Sequence, residues 1–160
     1  MQPSPSGVGV LAFDLDNQSD YDLLAILSVI GAEVVENLVW IVSGLEWVGD
    51  ERARQFNIKA GNAPREQITV HGSQLLQLSE HVLQVIEGVF VGYHEHFAAE
   101  AALNTTPQLH HFGLSPAEVA VRFVDGWHVD LYLRPRAYVD AIRKRFPKAQ
   151  WQDPARYCLE

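Results

Sequence analysis

The stretch VAVRFV-DG-WHVDLYL, from Val119 to Leu133, decides the fold. Two runs rich in β-branched and aromatic side chains flank Asp125-Gly126. That dipeptide suits the positive φ angles of a type I′ turn, so the region predicts an antiparallel hairpin of Val119–Val124 and Trp127–Leu133. Towards the C-terminus, Pro135 stands where a first helical residue is tolerated, and Tyr138, Val139, Ile142 and Phe146 recur at helical spacing. Arg143, Lys144 and Arg145 favour the negative end of that helix, and Pro147 stops it.

Working back from the hairpin, His94 to Leu103 is rich in Ala and Glu and predicts a helix, and Val89 to Tyr93 predicts a strand. Before these, Gly72-Ser73 offers a turn and an N-cap. Leu75, Leu76, Val82, Leu83 and Ile86 then follow at helical spacing as far as Gly88. Ile68 to His71 reads as a strand, and Asp50 to Gln67, with Gly61, Asn62 and Pro64, as the longest loop. Asn37 to Val48 reads as a strand pair in which Ser43-Gly44 marks a turn or a bulge. Val8 to Leu15 predicts the first strand, and Ser19 an N-cap for a helix from Asp20 to Ile30. Hairpins outnumber repeating strand-helix-strand units. The fold class is therefore α+β, a single domain over residues 1–160, with an antiparallel or mixed sheet of about six strands and three or four helices packed on it. Flexible ends are expected over roughly 1–7 and 152–160.

Composition agrees with one core. The chain has 160 residues, 48% of them hydrophobic, so burial can offset the entropy of folding without disulfides or metal. Cys158 is the single cysteine, which excludes an intrachain disulfide and a cysteine-based zinc site, and suggests a reducing, cytoplasmic setting. Met1 to Gly9 has no Lys or Arg and no long apolar run, so no signal peptide of ordinary form is expected. No stretch reaches the roughly eighteen apolar residues of a membrane span, so no membrane partner is expected. Nothing calls for a cofactor.

A net charge of −8 disfavours nucleic acid, whose binding draws on Lys and Arg at phosphates. The distribution says more. Before Arg52 there is no basic residue, against nine carboxylates, whereas Arg134 to Arg156 holds seven basic residues against Asp140 and Asp153. An acidic face made of Asp14, Asp16, Asp20, Asp22, Glu33 and Glu36 would attract a basic protein partner. The plainer reading is that acidic and basic segments pack together and neutralise each other.

Other candidates carry chemistry of their own. Phe13-Asp14-Leu15-Asp16 resembles the start of haloacid-dehalogenase-type phosphatases, where the first carboxylate attacks phosphate and the second serves as acid and base. It departs from that family at Gln18, where Thr or Val is usual, and Gly49-Asp50 comes too early for the family's late acidic motif. The Asp14–Asp22 acids could instead bind a hard cation, although Ser19 and Ala25 stand where an EF-hand has Gly and Glu. His94 and His96, with His110-His111, could converge on a transition metal if the first pair alternates on a strand; ordinary polar histidines are the simpler account. A small enzyme or metal- or ligand-binding protein using these acids or the His94–His111 cluster is thus the alternative to a binding protein. No nucleophile elbow is present. Trp40, Trp47, Trp127 and Trp151 read mostly as core, with Trp127 or Trp151 as the exposed candidates.

One resemblance bears on function. Val82 to Phe90, the hairpin around Asp125-Gly126-Trp127 and a last helix ending Arg143-Lys144-Arg145-Phe146 are similar to small bacterial proteins of the polymorphic-toxin immunity type. The likeness spans about half the chain and rests on hydrophobic spacing, so it carries over no catalytic residue. It implies a non-enzymatic acidic protein that neutralises a cognate toxin by covering its surface.

Overall fold

The computed structural model describes residues 9–15, 22–51, 67–97, 117–133 and 136–152. In chain order they form β1 (Gly9–Asp14), α1 (Asp22–Ile30), α2 (Ala32–Glu36), β2 (Val39–Gly49), β3 (Gln67–His71), α3 (Gly72–Ser79), β4 (Val82–Tyr93), β5 (Val119–Val124), β6 (His128–Leu133), α4 (Arg136–Arg145) and β7 (Gln150–Gln152). The seven strands make one sheet in the order β3-β2-β4-β5-β6-β1-β7. Every neighbouring pair is antiparallel, so the α+β expectation resolves to a fully antiparallel sheet.

The β5–β6 hairpin forms as its sequence predicts. Asp125 (φ 54°) and Gly126 (φ 75°) both take positive φ, and the Trp127 amide closes the turn on the Val124 carbonyl at 3.3 Å. Trp127 belongs to the turn rather than to the second strand, which starts at His128.

Asn37 to Val48 is not a strand pair but lies almost wholly in β2, which runs unbroken from Val39 to Gly49. The Ser43-Gly44 signal is a bulge: the register with β4 shifts between Ser43 and Glu46, and Gly44 has φ 60°. One extra residue reverses the alternation. Trp40 and Val42 before the bulge, and Leu45 and Trp47 after it, therefore all pack in the same core.

The helix expected through Ile86 ends at Ser79, and the chain from Val82 is already β4. Its cap also differs from the Gly72-Ser73 expectation, since the His71 amide donates to Gln74 Oε1 at 3.0 Å. Gly72 has another role. A Cβ there would lie 1.6 Å from the Val35 carbonyl oxygen, so only glycine lets α3 approach the end of α2 this closely. Glu80 and His81 turn the chain into β4, and Asp50 clasps that turn: its amide donates to the His81 carbonyl at 2.9 Å and its Oδ2 lies 3.0 Å from His81 Nδ1.

Two further elements lie outside the sequence expectation. Gly31, with φ 107°, separates α1 from the short α2. Gln150–Gln152 pairs with β1 as β7, so Gln152 is part of the sheet rather than of a loose end. The Ser19 cap, most of the Asp50–Gln67 loop and the outer parts of both termini lie outside the described residues.

The sheet has two unlike faces. On one, α1 (Leu23, Ile26, Leu27, Ile30), α2 (Val35), α3 (Leu75, Leu78) and α4 (Val139, Ile142) cover Leu11, Trp40, Phe90, Phe123 and Leu131. Phe13 also stacks on Phe146, with ring centroids 4.6 Å apart. On the other face Val39, Ile41, Val91, Tyr93, Ala120 and Tyr132 form a smaller cluster with Phe97 against it.

Candidate functional site

Strand alternation on β6 sends Val129, Leu131 and Leu133 to the helix-covered core and His128, Asp130 and Tyr132 to the opposite face. The β1–β6 register sets Asp14 across from His128, and the β5–β6 register sets Arg122 across from Asp130. A polar cluster results beside the smaller apolar one. His128 Nδ1 lies 2.7 Å from Asp14 Oδ1, and its Nε2 lies 3.0 Å from Asp130 Oδ1. Asp14 has a side chain 55% exposed, whereas Asp130 is 1% exposed, so the imidazole links a solvated carboxylate to a buried one.

With a carboxylate at each ring nitrogen, the favoured state is the imidazolium, which donates from both. Burial is the largest single influence on the His128 pKa and pulls it down. The hydrogen bonds and charges of Asp14 and Asp130 together outweigh it and leave the pKa raised. A ring held protonated, with both N–H groups engaged, is a charge link between strands rather than a waiting general base. Asp14 is correspondingly an ion-pair partner rather than a free nucleophile. Sequence reasoning did not single out His128. Its signal was the His128-x-Asp130 alternation inside a predicted strand, but the register that brings Asp14 to it is a long-range fact.

Next to this cluster stands the hairpin tip. The Gly126 amide donates to the Ile86 carbonyl at 2.8 Å, and Gln84 Nε2 donates to the Gly126 carbonyl at 3.0 Å. The Asp125 amide donates to Glu87 Oε1 at 3.0 Å, and the Leu15 amide to the Trp127 carbonyl at 2.6 Å. So held, the turn presents Trp127 with half its surface (50%) exposed.

The acids named as a docking face stand in unlike surroundings. Glu33 and Glu36 are exposed on α2, and Asp14 is exposed but tied to His128; Asp16 and Asp20 lie outside the described residues. Asp22 is a correction: at 3% exposure it is buried at the start of α1, where it cannot offer its charge to a partner's surface. Its Oδ1 accepts from the Leu23 amide at 2.7 Å. Desolvation nevertheless pushes its pKa up to about 6, against the lowering effect of backbone amides that include Val85.

For the histidine pair the helix expected from His94 prevails over the strand alternative. His94 follows β4, and residues 95–97 are helical, so His94 and His96 do not alternate on a strand. Their rings stack with centroids 6.3 Å apart, His96 packs on Phe97, and His94 Nε2 lies 3.4 Å from Glu118 Oε1. His110, His111 and Cys158 lie outside the described residues. Among the described residues no group of three or more His, Cys, Asp or Glu is disposed to hold a metal ion, and no helix is long and apolar enough to cross a membrane. Trp40 and Trp47 are buried, as their strand positions predict. Compared with protein-family models, curated proteins and solved structures, the chain finds no match.

Proposed function

We propose that this protein acts by binding a basic protein partner, as an immunity-type protein covers its cognate toxin, and not by catalysis. The observation that carries this reading is the lopsided charge. Residues 22–51 hold six carboxylates (Asp22, Glu33, Glu36, Glu46, Asp50 and Glu51) with no Lys or Arg, on a chain of net charge −8. Four of the six, Glu33, Glu36, Glu46 and Glu51, are exposed. Arg52, Arg54, Lys59 and Arg65 follow at once in sequence, and the basic residues of α4 sit near the opposite edge of the sheet beside β1. Exposed carboxylates of one sign raise the encounter rate with a cationic surface and repel acidic competitors. The commitment of both His128 ring nitrogens to carboxylates supports a binding role over an acid–base one.

The test begins with capture of partners on the full chain and identification by mass spectrometry. Association kinetics of the purified pair at low and high salt follow. Reversing Glu33 and Glu36 to Lys should slow association several-fold at low salt and flatten its salt dependence, with dissociation little changed. Identical kinetics for the reversed chain at both salts would remove the acidic surface from recognition.

A further inference from the structure

Two large apolar side chains are left exposed among the described residues, Trp127 at 50% and Val48 at 47%, and they belong to one end of the sheet. Val48 pairs with Gln84 in the β2–β4 register, and the Gln84 side chain donates to Gly126, the residue before Trp127. A free β-turn has no need of an indole at its tip. This tip is also not a loose one, since backbone or side-chain hydrogen bonds hold each of Asp125, Gly126 and Trp127 to β4, β5 or the end of β1.

We infer that the β5–β6 hairpin tip is a docking surface for an arginine- or lysine-bearing segment of the partner, with Trp127 as its aromatic anchor. The inference rests on the basic-partner reading and gives it a second contact, separate from α2. Three features favour a cationic occupant. An indole face is the best π surface for a guanidinium or ammonium group. The exposed Asp125 stands two residues before Trp127, and Glu87 is bonded to the Asp125 amide, so the same tip carries two carboxylates. His128, whose ring centroid lies 6.4 Å from that of Trp127, has its charge engaged by Asp14 and Asp130. The rigid tip has little entropy left to lose, which is the condition under which a single Trp dominates an interface.

The test uses the full 15N-labelled chain and the probe peptide acetyl-Gly-Arg-Gly-Arg-Gly-amide, with the Trp127 indole signal assigned from a Trp127→Phe sample. Saturable shifts are expected at the Trp127 indole and the Gly126 amide, while the buried Trp40 indole stays still. Trp127→Leu keeps apolar bulk but removes the π face and should weaken binding about 3- to 10-fold, whereas Trp127→Phe should retain most of it. Shifts confined to Glu33 and Glu36 would overturn the hairpin surface and leave the basic-partner reading standing. Equal shifts with acetyl-Gly-Glu-Gly-Glu-Gly-amide would overturn both. Absence of any shift, equal affinity for Trp127→Leu, or a Trp127 response only to neutral phosphatidylcholine vesicles would each overturn the hairpin proposal.

Discussion

Strand β6 serves two environments at once, and the two faces of the sheet differ in what they do with it. Towards the helices, Val129, Leu131 and Leu133 join a core of aliphatic and aromatic groups, in which Phe90 and Phe123 meet edge to face at 5.8 Å. Towards the other side, His128 and Asp130 belong to an ion-paired chain and Tyr132 to the smaller cluster. The first face gains from area removed from water, and any well-shaped apolar group serves there. The second depends on partners: a buried carboxylate is tolerable only while its counter-charge is in place. Stability should thus respond to volume on the first face, with the buried Asp22 at the start of α1 as its titrating exception, and to charge and pH on the second.

The largest effect belongs to the helix-covered face. Phe123→Ala removes a fully buried ring packed against Phe90 and should cost about 4 kcal/mol in chemical denaturation, with little dependence on pH. Equal losses at pH 5 and pH 8 would confirm the apolar character of that face; a strong pH dependence would break the contrast.

Asp130→Ala should cost about 3 kcal/mol, because it leaves the His128 imidazolium half-partnered and a buried position unfilled. A melting curve like that of the parent chain would show that the polar chain contributes nothing.

Asp22 tests the same contrast from beneath the helices. Its carboxyl titrates near 6 when folded, against 3.8 unfolded, so its contribution is full below pH 4 and is lost as pH rises through 6. The stability of the parent relative to Asp22→Asn should therefore fall by on the order of 2–3 kcal/mol between pH 4 and pH 7. A flat difference would mean that the carboxylate is better solvated than its burial implies.

Gly126→Val places a β-branched side chain at φ 75° and a Cβ 2.8 Å from Gln84 Nε2. The flexible Gln84 can yield but the backbone cannot, so a loss of about 1–2 kcal/mol is expected. No loss in thermal unfolding would count against a turn that needs positive φ.

The smallest effect is the pH response of His128, whose imidazole is partly solvated. Its pKa is raised on folding, so its stabilisation is full below the unfolded value and fades as pH rises through the folded one. The advantage of the parent over His128→Gln should accordingly shrink from pH 6 to pH 9. An advantage that grows with pH would contradict the imidazolium assignment.

Much of the architecture was legible along the chain because it rests on local chemistry. Asp125-Gly126 specifies its own turn through positive φ, and Arg136–Arg145 announces itself by its basic last turn and the following Pro147. Where β2 and β4 were misread, bulges were responsible. On β4 the residues facing the helix-covered core, Val82 and Val85, are followed by the buried Gly88 at intervals of three, because the register with β2 slips twice in that stretch. Paired positions Glu46–Glu87 and Trp47–Val85 leave Ile86 as the extra residue. A doubly slipped strand thus copies the spacing of a helix, and only its richness in Val and Ile argued otherwise. The stop of α3 at Ser79 has no Gly or Pro to mark it; Asp50, arriving from β2, secures that turn from outside.

By itself, then, the sequence determined the α+β class, the β5–β6 hairpin, the last helix, the buried Trp40 and Trp47 and the acidic bias of residues 22–51. Each follows from side-chain type and near-neighbour spacing. Tertiary structure alone decided that Asp22 is buried while Glu33 and Glu36 are not, that Asp14 meets His128 from 114 residues away, and that the Ile86 bulge receives the hairpin tip and sets Trp127 in solvent. For Asp22, Glu33 and Glu36 the reason is which side of α1 and α2 packs on the sheet; for the other two it is strand register, a cooperative property of the whole sheet in which a slip of one residue turns every side chain beyond it to the other face.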